Sequence, residues 1–91
     1  MEQKKLDLEQ FIKDNNIDLT QTGSNLNGQC VVLSGFALYL GMDFNDVDNV
    51  VKEMFPEASY FDELERVFNY ADSHNYSSYW KTDQAKQMYK F

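Results

Sequence analysis

A chain of 91 residues with 43% apolar residues, one cysteine and a net charge of -7 is long enough for one small domain with one core. These values argue against intrinsic disorder and exclude an internal disulfide and a four-cysteine zinc site. The amino terminus is polar, and no apolar run reaches the roughly 20 residues that span a bilayer, so we expect a cytoplasmic protein without a membrane segment.

The first predicted element is a short helix over about residues 4 to 15. Apolar residues recur at helical spacing from Leu8 to Ile12, and two consecutive asparagines at 15 and 16 are typical of a helix end. The segment that follows is rich in Gly, Ser and Asn, which favour turns. It predicts a loop over about residues 20 to 28.

The longest apolar run of the chain comes next, and we interpret it as a buried helix over about residues 30 to 40. Gly41 is typical of the position that follows a helix end. The alternative is a hairpin that pairs QCVVL with FALYL across Ser34 and Gly35, because valines favour strands and Ser-Gly can form a turn. The helix is favoured because the second half of the run is rich in Ala and Leu and the patterns on both sides are helical.

A third helix is predicted in the acidic segment that follows. Apolar residues from Val47 to Met54 form one stripe at helical spacing, and Asp43 can cap the amino-terminal end. Pro56 is the only proline of the chain. It ends this helix at about Phe55, since the residue before a proline is disfavoured in helical conformation.

A fourth helix is predicted over about residues 60 to 73, where apolar residues recur from Phe61 to Ala71. Ser59, followed by acids three and four residues later, is a capping pattern for this helix. Thr82 can cap a last short helix. The predicted fold is therefore all-α, with residues 1 to 91 forming a single domain of four to five short helices packed around the apolar central helix.

The negative charge is concentrated between residues 43 and 72, a segment that contains nine acidic and two basic residues. We predict that this segment docks a protein partner with a basic surface. In a narrower form of this hypothesis its carboxylates imitate the phosphates of a nucleic acid. The alternative is a solvated surface that keeps the protein soluble. The same field disfavours direct binding of DNA, RNA or anionic membranes. The predicted partner-binding acids are Asp43, Asp46, Asp48, Glu53, Glu57, Asp62, Glu63 and Glu65.

A cluster near the carboxyl terminus forms a second predicted contact surface, and Tyr76, Tyr79 and Trp80 are its predicted partner-binding residues. The cluster consists of His74, Tyr76, Tyr79, Trp80, Met88, Tyr89 and Phe91. Tyrosine and tryptophan anchor interfaces because they supply a large contact area. In a domain of this size the same side chains can instead close the core, and for Trp80 core packing is favoured. This cluster also leaves open an oligomeric structural or assembly subunit.

The segment NGQCVVLSGFALYL around Cys30 resembles the opening of the nucleophile helix in papain-like cysteine enzymes. The resemblance implies Cys30 as nucleophile and His74 as base, with Asp72 or Asn75 to orient the imidazole. Val31 follows the cysteine where that family has an aromatic residue. A buried cysteine and an exposed histidine are therefore the favoured interpretation.

The two predicted helices on either side of Gly41 resemble a helix-turn-helix, which implies that the second helix reads DNA. That helix carries Asp46, Asp48 and Glu53 against a single lysine, so its charge opposes contact with phosphates and base edges. The segment DFNDVDN lacks the glycine and the distal glutamate of a calcium-binding loop, and His74 has no cysteine or histidine nearby in sequence. No metal and no cofactor are expected.

The leading hypothesis is a small acidic, non-enzymatic interaction protein that inhibits or regulates a larger protein, such as one that binds nucleic acid. Seven lysines against one arginine suit an A/T-rich gene, as in many bacteriophages and low-GC bacteria, and the hypothesis includes a phage or mobile-element origin. The alternatives are a small cysteine-dependent enzyme that uses Cys30 and His74, and a homo-oligomeric assembly subunit.

Overall fold

The computed structural model describes residues 2–91, and all regular secondary structure in that range is helical. The all-α prediction is confirmed, and the hairpin alternative for the apolar run is wrong. No helix in this range combines the length and the hydropathy needed to traverse a bilayer. The helices are α1 (Glu2–Asp14), α2 (Gly23–Tyr39), α3 (Phe44–Met54), α4 (Phe61–Ser73), a 3₁₀ helix (Tyr76–Lys81) and α5 (Asp83–Met88).

Local chemistry sets several of the helix ends. A carboxylate oxygen of Asp43 accepts a hydrogen bond of 2.9 Å from the backbone N–H of Asp46, which caps α3 as predicted. The hydroxyl of Thr82 accepts from the N–H of Ala85 at 3.3 Å and caps α5 in the same way. Gly41, which follows the C-cap residue Leu40 of α2, has a φ of 81°, a conformation that favours glycine. These ends depend on neighbouring residues, which is why the sequence predicted them.

One predicted boundary and one predicted cap are wrong. Helix α2 begins at Gly23, so most of the predicted loop over 20 to 28 is helical. Leu26 is only 8% exposed, and the side chain of Gln29 accepts a hydrogen bond of 3.1 Å from the backbone N–H of Asp18. Contacts from outside the segment therefore override its turn-forming composition. At α4, the capping pattern at Ser59 forms no cap, because the helix begins one residue later than that pattern requires.

Helix α2 is the centre of the core. It packs mainly against α4 and the 3₁₀ helix, while α1 packs chiefly against α3. The rings of Phe11 and Phe36 are stacked at 4.0 Å, and the Trp80 indole meets both edge-on at 5.3 and 5.4 Å. The carboxyl-terminal aromatic segment thus closes the core over α1 and α2, and α3 and α4 carry most of the acids of the chain.

Candidate protein-interaction surface

The acids of α3 point to two different sides of the helix. Asp46 and Glu53 are seven residues apart and therefore share one flank. Glu53 lines a shallow groove between α1 and α3 together with Lys5 and Glu9. Asp48, two positions after Asp46, lies on nearly the opposite flank. The third helix therefore does not present its carboxylates as one surface.

Asp48 is held inside the molecule. It is 9% exposed, and one carboxylate oxygen accepts a hydrogen bond of 2.7 Å from the phenol of Tyr60, while the other lies 3.2 Å from the ammonium of Lys52. Burial, together with this carboxylate, raises the pKa of Tyr60 far above its ordinary value. This predicted contact residue thus joins α3 to the segment that starts α4, and its carboxylate is not free for a partner.

Glu63 has a similar position between α4 and α2. Its Oε2 accepts hydrogen bonds from the guanidinium of Arg66 at 2.6 Å and from the side-chain amide of Asn27 at 2.7 Å. These two hydrogen bonds, the first from a cation, hold the pKa of Glu63 below its ordinary range. Glu63 therefore fastens α4 to α2.

The remaining acids of the segment 43–72 have no cationic partner. Across residues 2–91 the ion pairs are Lys13–Glu9, Lys52–Asp48 and Arg66–Glu63. Both bases of the acidic segment are therefore taken by the two acids that join helices to one another. The acids of this segment without an ion pair in the described residues are Asp43, Asp46, Glu53, Glu57, Asp62, Glu65 and Asp72.

An exposed phenylalanine lies among these carboxylates on α4. Phe61 is 46% exposed and meets the ring of Phe44 edge-on at 5.4 Å. Glu65 and Asp72 follow Phe61 at four and eleven residues, so the three side chains lie along one stripe of the helix, with the exposed Asp62 beside it. We call Phe61, Asp62, Glu65 and Asp72 the α4 face. Its spacing predicts that Phe61 belongs to the apolar stripe of the fourth helix, and spacing alone does not show that this side chain in the first turn of α4 is half exposed.

The predicted aromatic surface is divided between core and solvent. Trp80 is 3% exposed and belongs to the core, whereas Tyr76 and Tyr79 are partly exposed. The two tyrosines line an open groove of about 480 Å³ between α2 and the 3₁₀ helix. Tyr70, which no sequence pattern singled out, is 52% exposed and stacks on the ring of His74 at 3.8 Å.

Cys30 is buried in the core, and His74 lies on the surface. Cys30 is completely buried at the eighth position of α2, so the helix start that would stabilise a thiolate is distant. Burial, and to a smaller extent Glu63, raises the pKa of the thiol to about 12. The His74 ring contacts the carbonyl of Tyr70 at 2.9 Å and the hydroxyl of Ser73 at 3.0 Å. The catalytic pair implied by the papain-like resemblance is not assembled.

Within residues 2–91 no three side chains of His, Cys, Asp or Glu converge in a way that could hold a metal ion. No protein-family model matches the chain, and comparisons with curated proteins and with solved structures found no similar protein.

Proposed function

We propose that this protein is a small non-enzymatic interaction module that binds a basic surface of a larger protein through the α4 face and thereby inhibits or regulates that protein. The main support is the distribution of counter-charges. Lys52 and Arg66 both pair with acids that join helices, which leaves the outward carboxylates of α4 without a cation. Like charges repel, so a second copy of this chain is not the occupant we propose for this face.

Phe61 and the carboxylates around it have different roles in this proposal. The uncompensated carboxylates steer a basic partner toward the face and select against acidic ones. Phe61 supplies the apolar contact that a charged surface lacks, because an aromatic side chain inserted into a pocket of the partner carries much of the binding energy. The expected partner surface is therefore a cleft lined by Lys and Arg with an apolar floor.

A narrower form of this hypothesis is a nucleic-acid mimic, in which the carboxylates occupy the positions of phosphates on a nucleic-acid-binding protein. A phage or mobile-element origin would suit such an inhibitor, and the lysine-rich, arginine-poor composition agrees with it. If the partner uses the same surface for both ligands, DNA or RNA competitor displaces this protein from it. Retention in the presence of excess competitor would restrict the function to a protein-binding module.

The α4 face can be tested with two variants of equal charge. Glu65→Lys/Asp72→Lys reverses two acids of the face, and Asp7→Lys/Asp14→Lys reverses two exposed acids of α1 with the same spacing of seven residues. Each pair joins a mid-helix acid to one in the last turn, so the interactions with the helix dipole are matched. The α1 pair also loses the exposed hydrogen bonds from Gln3 and Gln10. Immobilised proteins are incubated with host lysate at low salt and then eluted with a salt gradient.

The wild type and the α1 variant should retain the same protein and release it as salt rises, whereas the α4 variant should bind it at least about tenfold more weakly. Phe61→Ala should weaken binding while leaving the salt dependence unchanged. Equal retention by the α4 and α1 variants would show that net charge alone, and not this face, attracts the partner.

A further inference from the structure

Asn27 and Gly28 form the only Asn-Gly pair of the chain, and they lie in the second turn of α2. In such a pair the backbone nitrogen of the glycine can attack the side-chain amide carbon of the asparagine, because no Cβ shields that nitrogen. The attack closes a five-membered succinimide, and asparagine is for this reason a chemically labile residue. Gly28 is exposed, and even a Cβ on it would have no neighbour within 4 Å. The pair is therefore reactive in its chemistry and reachable by solvent.

The side chain of the same asparagine joins α2 to α4. Its Nδ2 donates a hydrogen bond of 2.7 Å to Oε2 of Glu63, and that oxygen also accepts from the guanidinium of Arg66 at 2.6 Å. A carboxylate in place of this amide would have no hydrogen to donate and would repel Glu63. The single charge of Arg66 can balance only one of the two carboxylates. Loss of the amide at Asn27 would therefore turn an attractive contact between the helices into a repulsive one.

The helical backbone opposes the reaction. In a regular α-helix the N–H of Gly28 donates to the carbonyl four residues earlier, so its nitrogen is not free to attack. The first turns of α2 must therefore open before the succinimide can form, and the rate of the reaction depends on how readily they do so.

The start of α2 is weakly stabilised in comparison with its middle. Thr22 has the extended backbone of an N-cap residue but forms no side-chain cap, and the first turn contains no acidic residue. Gly23 and Gly28 both lie among the first six residues, where glycine disfavours the helix. The buried Leu26 anchors this part of the helix, whereas the turns that follow Cys30 are buried in the core. The turn that contains the Asn-Gly pair should therefore open at a lower cost than the rest of α2.

We propose that Asn27 is a site of spontaneous deamidation, and that this modification is an irreversible switch of the contact between α2 and α4. When the start of α2 opens, the backbone nitrogen of Gly28 loses its proton to solvent base and bonds to Cγ of Asn27. The side-chain amino group takes up a proton and leaves as ammonia. Water then opens the succinimide at one of its two carbonyls, which gives aspartate or isoaspartate at this position. Both products carry the carboxylate that repels Glu63, and isoaspartate also lengthens the main chain and interrupts the helix.

Mass spectrometry of peptides from the folded protein, kept at pH 8 and 37 °C, tests the modification. Asn27 should convert before every other asparagine of the chain, and in urea above the unfolding midpoint it should convert at least about tenfold faster. Gly28→Ala should slow the conversion at least about tenfold both in the folded protein and in urea, because a Cβ hinders the attack. Thr22→Asp supplies the missing cap and should slow the conversion only in the folded protein.

The effect on the contact between the helices is tested with Asn27→Asp, which reproduces one of the two products. It should lower the urea midpoint, whereas Asn25→Asp, the same change at an exposed position two residues earlier, should not. Asn27→Asp/Glu63→Gln exchanges the amide and the carboxylate across the contact and should recover most of the loss, because the new amide can donate to the new carboxylate. If Asn27→Asp alone does not fold, as judged by circular dichroism, folding of the double variant carries the same conclusion.

Four results would overturn the proposal. Another asparagine could convert before Asn27, or the folded protein could stay unmodified while the sample in urea converts completely. Thr22→Asp could convert as fast as the wild type in the folded state. The urea midpoint of Asn27→Asp could equal that of the wild type, or its loss could persist in the double variant.

Discussion

The buried thiol of Cys30 shows how the surroundings of one residue determine its chemistry. A thiolate in the interior of α2 would lose its hydration, and the nearby carboxylate of Glu63 opposes a second negative charge, so the pKa rises to about 12. A nucleophilic cysteine requires the opposite, a lowered pKa and an accessible sulfur. At the residue scale, the features that suggested catalysis in the sequence are those of a small apolar side chain.

We therefore expect Cys30 to react very slowly with a thiol reagent such as Ellman's reagent at pH 8, because labelling must wait for the fold to open. In urea above the unfolding midpoint the same thiol should react at the rate of a free cysteine, which serves as the control. Rapid labelling of the folded protein below pH 7 would contradict this prediction and would revive the cysteine-enzyme alternative.

Ser34 gives a second prediction at this scale. Its hydroxyl is completely buried in α2 and has no hydrogen-bond partner in the described residues. Ser34→Ala should raise the free energy of unfolding by about 1 kcal/mol, because it removes an unsatisfied polar atom and introduces a better helix former. Urea denaturation measures the change.

Ser78→Ala is the control for Ser34→Ala, since the hydroxyl of Ser78 is exposed and donates to a backbone carbonyl 2.9 Å away. It should not stabilise the protein. A loss of stability in Ser34→Ala would mean that the hydroxyl finds a partner in solution.

At the scale of whole elements, Gly28 and Gly35, two of the three glycines of α2, differ in the space around them. A Cβ at Gly28 would have no neighbour within 4 Å, whereas one at Gly35 would stand 2.6 Å from Trp80 Nε1. Gly28→Ala should therefore stabilise the protein by about 0.5–1 kcal/mol through helix propensity alone. Gly35→Ala should destabilise it by about 1–3 kcal/mol, because the core has to move.

Thermal denaturation compares the two glycine variants, and the emission of the single tryptophan should change only in Gly35→Ala. Equal effects of the two substitutions would show that the indole does not pack on α2 as described.

The junction between α4 and α2 predicts a pH effect. Because hydrogen bonds lower the pKa of Glu63 from its ordinary value of 4.5, its contribution to stability is complete above that value and is lost as the pH falls through the lowered one. Glu63→Gln should be less stable than the wild type at pH 6, and the two urea midpoints should converge toward pH 3. Glu65→Gln, two positions away and without an ion pair in the described residues, should show no such convergence.

How far the sequence predicts these elements depends on how local their causes are. The caps at Asp43 and Thr82 involve residues three positions apart, so a pattern in the sequence identifies them. The start of α2 depends on Gln29 contacting Asp18 and on the burial of Leu26, which no neighbouring residue reveals. The sequence does not predict the roles of the candidate site residues either, because these roles depend on partners that are distant in the sequence.

Hydrogen bonds between distant parts of the chain also separate the acids of the segment 43–72 into those that join helices and those that face solvent. From the sequence, Asp48 and Glu63 are indistinguishable from Glu65, yet the first two join helices and only the third faces solvent. Net charge could be read from composition, whereas the location of the free charge required the tertiary contacts. The exposure of Phe61 within the α4 face also depends on the tertiary structure and could not be predicted from its spacing.

At the scale of the whole molecule, the two ends of the chain meet over the core, and the acids without an ion pair in the described residues lie in the segment 43–72 and in other parts of the chain. The side chain of Asn15 donates to the carbonyl of Lys90 and accepts from its N–H, both at 2.8 Å, and Phe91 packs against Phe11 and Phe36. These contacts fix the carboxyl-terminal segment, whose net charge is positive. The negative charge is concentrated on α3, α4 and the segment between them, so the charge is unevenly distributed along the chain, and a basic partner can recognise the acidic segment.

This distribution predicts that the folded protein gains stability as salt is added. The unpaired acids of the segment 43–72 repel one another in the compact state, and ions screen that repulsion because the Debye length is about 10 Å at 0.1 M salt. The urea midpoint of the wild type should rise between about 20 and 200 mM sodium chloride. Glu65→Lys/Asp72→Lys should be more stable than the wild type at low salt and should respond less to added salt.

The same substitutions that weaken partner binding should therefore stabilise the free protein. The acids that attract a basic surface also repel one another and so destabilise the folded state. Asp7→Lys/Asp14→Lys is again the matched control, since α1 already carries three lysines among its acids. Its gain at low salt should be smaller. If both variants gain equally, the repulsion is spread over the whole surface and the α4 face is not a concentrated charge, which would remove the main support for its role in binding.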